Sequence, residues 1–163
     1  MKAAVVETNV LVVANDKSEQ AGPECVLACV KALEEVREER ITLLDSGMRI
    51  FNEYMRHASL SGQPGLGDSF MKWLWTNQAH PSHCQLINIS PKSDDPEDFE
   101  EFPNDPALEG FDRSDRKFVA VARASQRQSK IMNATDSDWW IFRNQLANHS
   151  ITIKFLCPDL VVR

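Results

Sequence analysis

Apolar and polar positions along the chain follow two periods. Ala3-Ala-Val-Val6 is a short apolar run that ends in the polar triplet Glu7-Thr8-Asn9, and a second apolar run, Val10-Leu-Val-Val-Ala14, follows. A strand, a polar turn and a first helical turn fit this better than one long strand. Gly22-Pro23 then opens a helix, since proline suits the first helical position and Val26, Val30, Leu33 and Val36 recur at helical spacing. Ile41-Thr-Leu-Leu44 is a compact β-rich run ended by Asp45-Ser46-Gly47. The pattern next predicts a helix from Arg49 to Ala58 burying Ile50, Phe51 and Tyr54. Gly62 to Gly67 reads as a loop, and Asp68 to Ala79 as a helix with Phe70, Trp73 and Leu74 inward.

In the second half, Leu86-Ile-Asn-Ile89 reads as a short strand and 94–109 as a loop. A helix begins near Asp112, with Asp115 three residues on and Phe118, Val121 and Ala122 as its buried stripe. Ile131 to Ala134 predicts a strand, Asp138 to Ala147 a helix, and Ile151 to Leu156 a final alternating strand. Strands alternating with helices imply a mostly parallel sheet covered on both faces. The expected fold is a three-layer α/β/α sandwich forming one domain over 1–163, with an acidic loop at about 90–110.

Composition narrows the function classes. The hydrophobic fraction of 42% and charged fraction of 26% are those of a folded globular domain, which excludes wholesale disorder. No apolar run approaches the ~20 residues of a membrane span and no basic-then-apolar leader precedes the first strand, so the expected address is the cytoplasm, with no membrane partner. Cys25, Cys29, Cys84 and Cys157 are too few and too scattered to predict a disulfide framework. The formal charge of −6 argues against binding nucleic acid by bulk charge, but eight acids and no Lys or Arg fall within 94–109. The rest has 16 acids against 18 bases, and nine bases against five acids follow Phe111. Either the segment is a solvated acidic loop, or it is a flap beside a basic face that gates an anionic substrate.

Ligand sites of such sheets lie beyond the carboxyl ends of the strands. Acids recur there: Glu7 after the first strand, Asp45 after the second, Asp136 after Ile131 to Ala134, Asp112 and Asp115 at a helix start, and Glu53 on the helix after Asp45. Crowded carboxylates raise one another's pKa, and a cation resolves the repulsion. Oxygen ligands select Mg²⁺ or Mn²⁺, metals that orient and activate water for attack on a phosphodiester.

Four segments resemble the motifs of PIN-domain nucleases in the family's order, over essentially the whole chain. Glu7-Thr8-Asn9-Val10-Leu11 resembles the first motif, in which the acid is normally Asp. Ile50-Phe-Asn-Glu53-Tyr54 resembles the helical Glu of the second, Asp115-Arg-Lys-Phe-Val-Ala-Val-Ala122 the third, and Asn133-Ala-Thr-Asp136-Ser-Asp138-Trp139 the fourth. The resemblance implies a Mg²⁺- or Mn²⁺-dependent endoribonuclease, the toxin of a toxin–antitoxin pair or a defence nuclease. Its substrate would be RNA (or DNA), and an antitoxin protein and a homodimer are compatible partners. It implies Glu7, Glu53, Asp115 and Asp136 as the catalytic carboxylates, and Glu7, Asp115, Asp136 and Asp112 as metal ligands. Asn9 would orient Glu7 or its metal through a hydrogen bond, Asp138 would sit at the rim, and Asp45 would support the site.

Bland readings exist for each residue. Asp112 and Asp115 can be a helix cap and a first-turn acid, Glu53 a partner of Arg49 and His57, and Asp136 and Asp138 turn and cap residues. Glu7 resists such a reading, because a buried carboxylate needs a partner. The alternative function is a catalytically weak or inactive PIN-like module that binds nucleic acid or a protein. A receiver-like signalling domain is disfavoured because Lys154 falls mid-strand instead of closing it. Cys25, Cys29, His80, His83 and Cys84 suggest a zinc site, but without a Cys-x2-Cys spacing Cys25 and Cys29 read better as core beside Val26 and Val30. Trp73, Trp75, Trp139 and Trp140 could stack on bases, though adjacent tryptophans point to opposite sides of a helix and imply core for most.

Overall fold

The computed structural model describes residues 1–162. In chain order the elements are β1 (Ala3–Val6), α1 (Thr8–Ala14), α2 (Pro23–Glu39), β2 (Ile41–Asp45), α3 (Arg49–His57), α4 (Leu66–Asn77), β3 (Cys84–Ile87), β4 (Pro91–Lys92) and β5 (Asp95–Phe99). A 3-10 turn (Arg113–Asp115) leads into α5 (Arg116–Ala124), followed by β6 (Ser129–Asn133), α6 (Ser137–Ile141), α7 (Arg143–Ala147), β7 (Ile153–Phe155) and α8 (Pro158–Val161). Five strands form one sheet in the order β3-β2-β1-β6-β7, every neighbour parallel. Helices cover it, giving the expected α/β/α sandwich. No helix among the described residues is long and apolar enough to cross a membrane.

The order places a topological switch at β1. The chain moves outward from β1 through β2 to β3, then returns across the sheet to lay β6 on the other side of β1, in register from Ala3 opposite Ser129 to Val6 opposite Met132. Chain leaving β1 and chain leaving β6 therefore diverge from adjacent points, and a crevice opens between them. β1 and β2 are buried at every position, as central parallel strands must be. On α3 the buried residues are Ile50, Phe51 and Tyr54, as the 3.6-residue period requires. Close packing needs Gly67 in α4, where a Cβ would lie 2.3 Å from the carbonyl oxygen of Leu11.

Four expectations are corrected. β3 begins at Cys84, two residues earlier than its apolar run suggests, and Leu86 is largely exposed because β3 is a sheet edge. The helix expected from Asp138 to Ala147 is two short helices meeting at Phe142. The acidic segment is not a bare loop. β4 and β5 pair as a hairpin, and Phe99, Phe102 and Leu108 are buried, with Phe102 stacked 5.8 Å from Phe111. Asp98 is buried and pairs with Arg116 at 3.1 Å and Lys92 at 3.3 Å, so an acid here serves as an internal anchor. Finally, Cys25 and Cys157, 132 residues apart, form a disulfide, so Cys25 is a crosslink and not only core; Cys29 and Cys84 are free and buried.

Candidate metal centre

The crevice at the switch point is an open cleft of about 670 Å³ lined by Glu7, Asn9, Glu53, Asp112, Asp115 and Asp136, with Gln20, His57 and Thr135 at its margin. Each acid is delivered by a different device. Glu7 is the residue between β1 and α1; its N–H donates to the Met132 carbonyl on β6 at 3.0 Å, continuing the ladder to the edge of the cleft. Its carboxylate caps no backbone N–H of α1 and stays open to the cleft. Glu53 rides on α3, held against β1 because buried Tyr54 donates its hydroxyl to the Val6 carbonyl. Asp115 ends the 3-10 turn and is followed by buried Arg116, which donates to the Glu109 carbonyl at 2.8 Å and fixes the approach to α5. Asp136 caps α6, accepting from the Asp138 N–H at 2.9 Å.

The charges of these acids repel one another. Burial and then the charges of Asp136 and Glu53 push Glu7 up to about 8. Burial, the charges of Glu7 and Asp136, a carboxyl–carboxylate hydrogen bond with Asp136, and Asp112 push Asp115 up to about 9. Asp138 is raised too, by burial and by Asp136 and Asp112. Without a cation, Glu7 and Asp115 therefore keep protons that ordinary carboxylates lose. The capping interpretation of Asp112 and Asp136 also holds: Asp112 accepts from the Ser114 N–H at 2.9 Å while lining the cleft. Capping uses one lone-pair direction and leaves the other oxygen available.

Three expectations change in detail. Asp45 does not join the cluster; it accepts the N–H groups of Arg49 and Ile50 at 3.0 and 2.8 Å and pairs with the Arg49 guanidinium at 3.3 Å, so both oxygens hold the start of α3. The Asn9 side chain bonds neither Glu7 nor the cleft acids. Its amide donates to Asn133 at 2.8 Å and its oxygen accepts the Ala134 N–H at 2.9 Å, which fixes the loop carrying Asp136. Glu53 pairs with neither Arg49 nor His57; it accepts Lys117 Nζ at 2.9 Å and the Thr8 hydroxyl. Lys117, also bonded to the Ser114 carbonyl, was missed by the sequence reading. Its signal was slight: a lysine two residues beyond Asp115, next to Arg116 at the start of the helix. Of the tryptophans, Trp139 is core, 5.0 Å from Phe111, and Trp75 is exposed.

The chain matches no family model, no characterised protein and no solved structure. The chemistry of the cleft thus rests on its own donors. Apart from His57 at the margin they are oxygens, several are buried and mutually repelling, and they suit a hard divalent cation.

Proposed function

We propose that the chain is a Mg²⁺- or Mn²⁺-dependent endoribonuclease of the PIN type. The observation that supports it is the convergence of carboxylates from four chain-distant segments, after β1, on α3, before α5 and after β6, at the switch point of a parallel sheet. Glu7, Asp115 and Asp136 would hold the cation, with Asp112 as a further ligand and Glu53 acting directly or through water. When bound, the cation supplies activation of water and stabilisation of the departing 3′ oxygen in phosphodiester hydrolysis. Asn9 holds the Asp136 loop in place, and Lys117 holds Glu53 against the cleft wall.

Basic side chains beside the acids suit RNA as the substrate. A hollow of about 340 Å³ next to Glu53 is lined by Arg49, Arg56, Arg113 and Lys117, and exposed Arg56 has no acidic partner among the described residues. Phosphate contacts of this kind position a strand without reading its sequence. Two observations favour the second reading, a weakly active or purely binding module. Lys117 already neutralises Glu53, and the oxygens of Glu7, Asp115 and Asp136 do not all approach within 4.8 Å.

Titration with Mn²⁺ and a cleavage time course on RNA and DNA separate the two. The nuclease should bind Mn²⁺ and cleave RNA, and Asp136→Asn should lose metal affinity and cut the rate by about 10²-fold or more. RNA binding without cleavage under any divalent cation would leave the binding module. Unchanged Mn²⁺ affinity in Asp136→Asn would remove the metal centre.

A further inference from the structure

The start of α2 meets the turn between β7 and α8, and there the sulfurs of Cys25, Cys29 and Cys157 all lie within 4.8 Å of one another, each residue buried. We propose that reduction of the Cys25–Cys157 bond converts this triad into a zinc site with three thiolate ligands and an open fourth position. Among the described residues no other group of three His, Cys, Asp or Glu brings its ligand atoms so close. Tetrahedral zinc with bonds of about 2.3 Å sets neighbouring sulfurs about 3.8 Å apart, inside the 4.8 Å that encloses all three here, and once the bridge is reduced the Cys25 and Cys157 sulfurs separate to reach it.

The scaffold is already built for it. Cys25 and Cys29, four residues apart, share one face of the 17-residue α2, and Cys157 is brought to a Cα separation of 5.4 Å from Cys25. A cavity of about 530 Å³ adjoins Cys25 and Cys157, and its wall also carries Glu24 and Asp159, so water or a carboxylate can reach the fourth position. The histidines weighed from sequence do not take part: His80 and His83 stack on each other at 4.7 Å, and Cys84 opens β3, at the sheet edge opposite β7. Thiolates select zinc over the hard cations suited to the acid cleft, and nothing in this inference depends on that cleft.

The redox balance is simple. A dithiol reductant gives two electrons and two protons to the Cys25–Cys157 bond and itself becomes a disulfide. Zn²⁺ then displaces one proton from each of three thiols, leaving a site of net charge −1. The bridge occupies two of the three ligands, so crosslinking and zinc binding exclude one another.

The full chain, reduced with a dithiol and desalted without oxygen, is titrated with Co²⁺ and then Zn²⁺. A thiolate-to-cobalt charge-transfer band that saturates at a single equivalent and is bleached by Zn²⁺ is expected, with no band in the oxidised protein. Cys29→Ser should weaken binding by about 10²-fold, while Cys84→Ser should leave it unchanged. In the unmutated reduced protein, Zn²⁺ should slow alkylation of Cys25 and Cys157 by about tenfold relative to Cys84, a readout that needs no folded variant. Absence of the band, Cys29→Ser binding like the parent chain, or equal alkylation rates with and without Zn²⁺ would each overturn the proposal.

Discussion

Glu7 stands where the resembled family has aspartate, and its extra methylene carries the carboxylate on the order of 1 Å farther from the backbone. In this chain the Glu7 backbone is fixed between β6 and α1, its N–H donating to the Met132 carbonyl and its carbonyl accepting from the Val10 N–H, both at 3.0 Å, which limits how far the carboxylate can follow a metal. Mg²⁺ demands near-octahedral geometry, so Glu7→Asp should raise Mg²⁺-dependent cleavage, and Mn²⁺ should be the better cation for the parent. Glu7→Gln should abolish metal binding without unfolding, since it removes a repelling carboxyl group from the cluster. Cleavage time courses with each metal and thermal melts check both, and an inactive Glu7→Asp with a Mn²⁺-binding Glu7→Gln would falsify the role of Glu7 as ligand. Lys117 gives a second residue-scale prediction. It competes with a cation for Glu53, so Lys117→Ala should tighten Mn²⁺ binding by about three- to tenfold while lowering the melting temperature of the metal-free protein. Weaker Mn²⁺ binding in a calorimetric titration would show Lys117 supporting the site instead. Glu7, Glu53, Asp115 and Asp136 were legible because strand ends and helix starts fix where a Cα lies. Asp45 and Lys117 were not, because such a position does not say which way a side chain turns: one turns back on its own helix, the other reaches across to α3.

At the scale of elements, period gave α3 and the central strands, and composition misjudged the acidic segment. Eight acids and four prolines between 91 and 109 argue for a loop, yet three buried apolar side chains and one internal ion-pair network suffice to fold β4 and β5 onto α5. The Cys25–Cys157 crosslink was equally hidden, since 132 residues of separation carry no pairing signal until the sheet brings both ends of the chain together. The anchor of the hairpin is testable. Burial works against the charge on Asp98, but the Phe99 N–H and the Arg116 and Lys92 cations outweigh it and hold the carboxyl below its ordinary value. Such a group contributes stability above its unfolded pKa, near pH 4, and loses it as pH falls through the lower folded value. Asp98→Asn should cost about 2 kcal/mol in denaturant unfolding at neutral pH, because Arg116 is left buried without its carboxylate, and the deficit should shrink below about pH 4. An equal deficit at both pH values would mean the packing was disturbed and not the ion pair. The gating idea moves to Asp94 and Glu97, which are exposed and pair with no cation among the described residues. Neutralising them should strengthen RNA binding at low salt, with a gain that fades as the Debye length contracts; no change at low salt would leave the hairpin a structural element only.

The whole molecule pays for its cleft in electrostatics, and the sign of that cost can be worked out. Glu7 at about 8 and Asp115 at about 9 keep protons in the folded chain that the unfolded chain releases above their ordinary values of 4.5 and 3.8. Between those limits the folded state binds more protons than the unfolded state, so stability must fall as pH rises through the window. Asp98 has the opposite sign but acts only below about pH 4, outside it. Protein stripped of divalent cations should therefore melt progressively lower from about pH 5 to about pH 8. A cation that binds only the folded chain reverses the trend: Mn²⁺ displaces the retained protons, binds more tightly as pH rises, and should raise the melting temperature most at the alkaline end. Asp136→Asn removes a charge that raises both neighbours, so its cation-free profile should be flatter and its response to Mn²⁺ small. Melts at several pH values, with chelator or with Mn²⁺, read both effects without any RNA. A flat chelated profile together with no Mn²⁺ shift would mean that the four segments meet at the switch point for packing alone, and the cleft would have no claim on a metal.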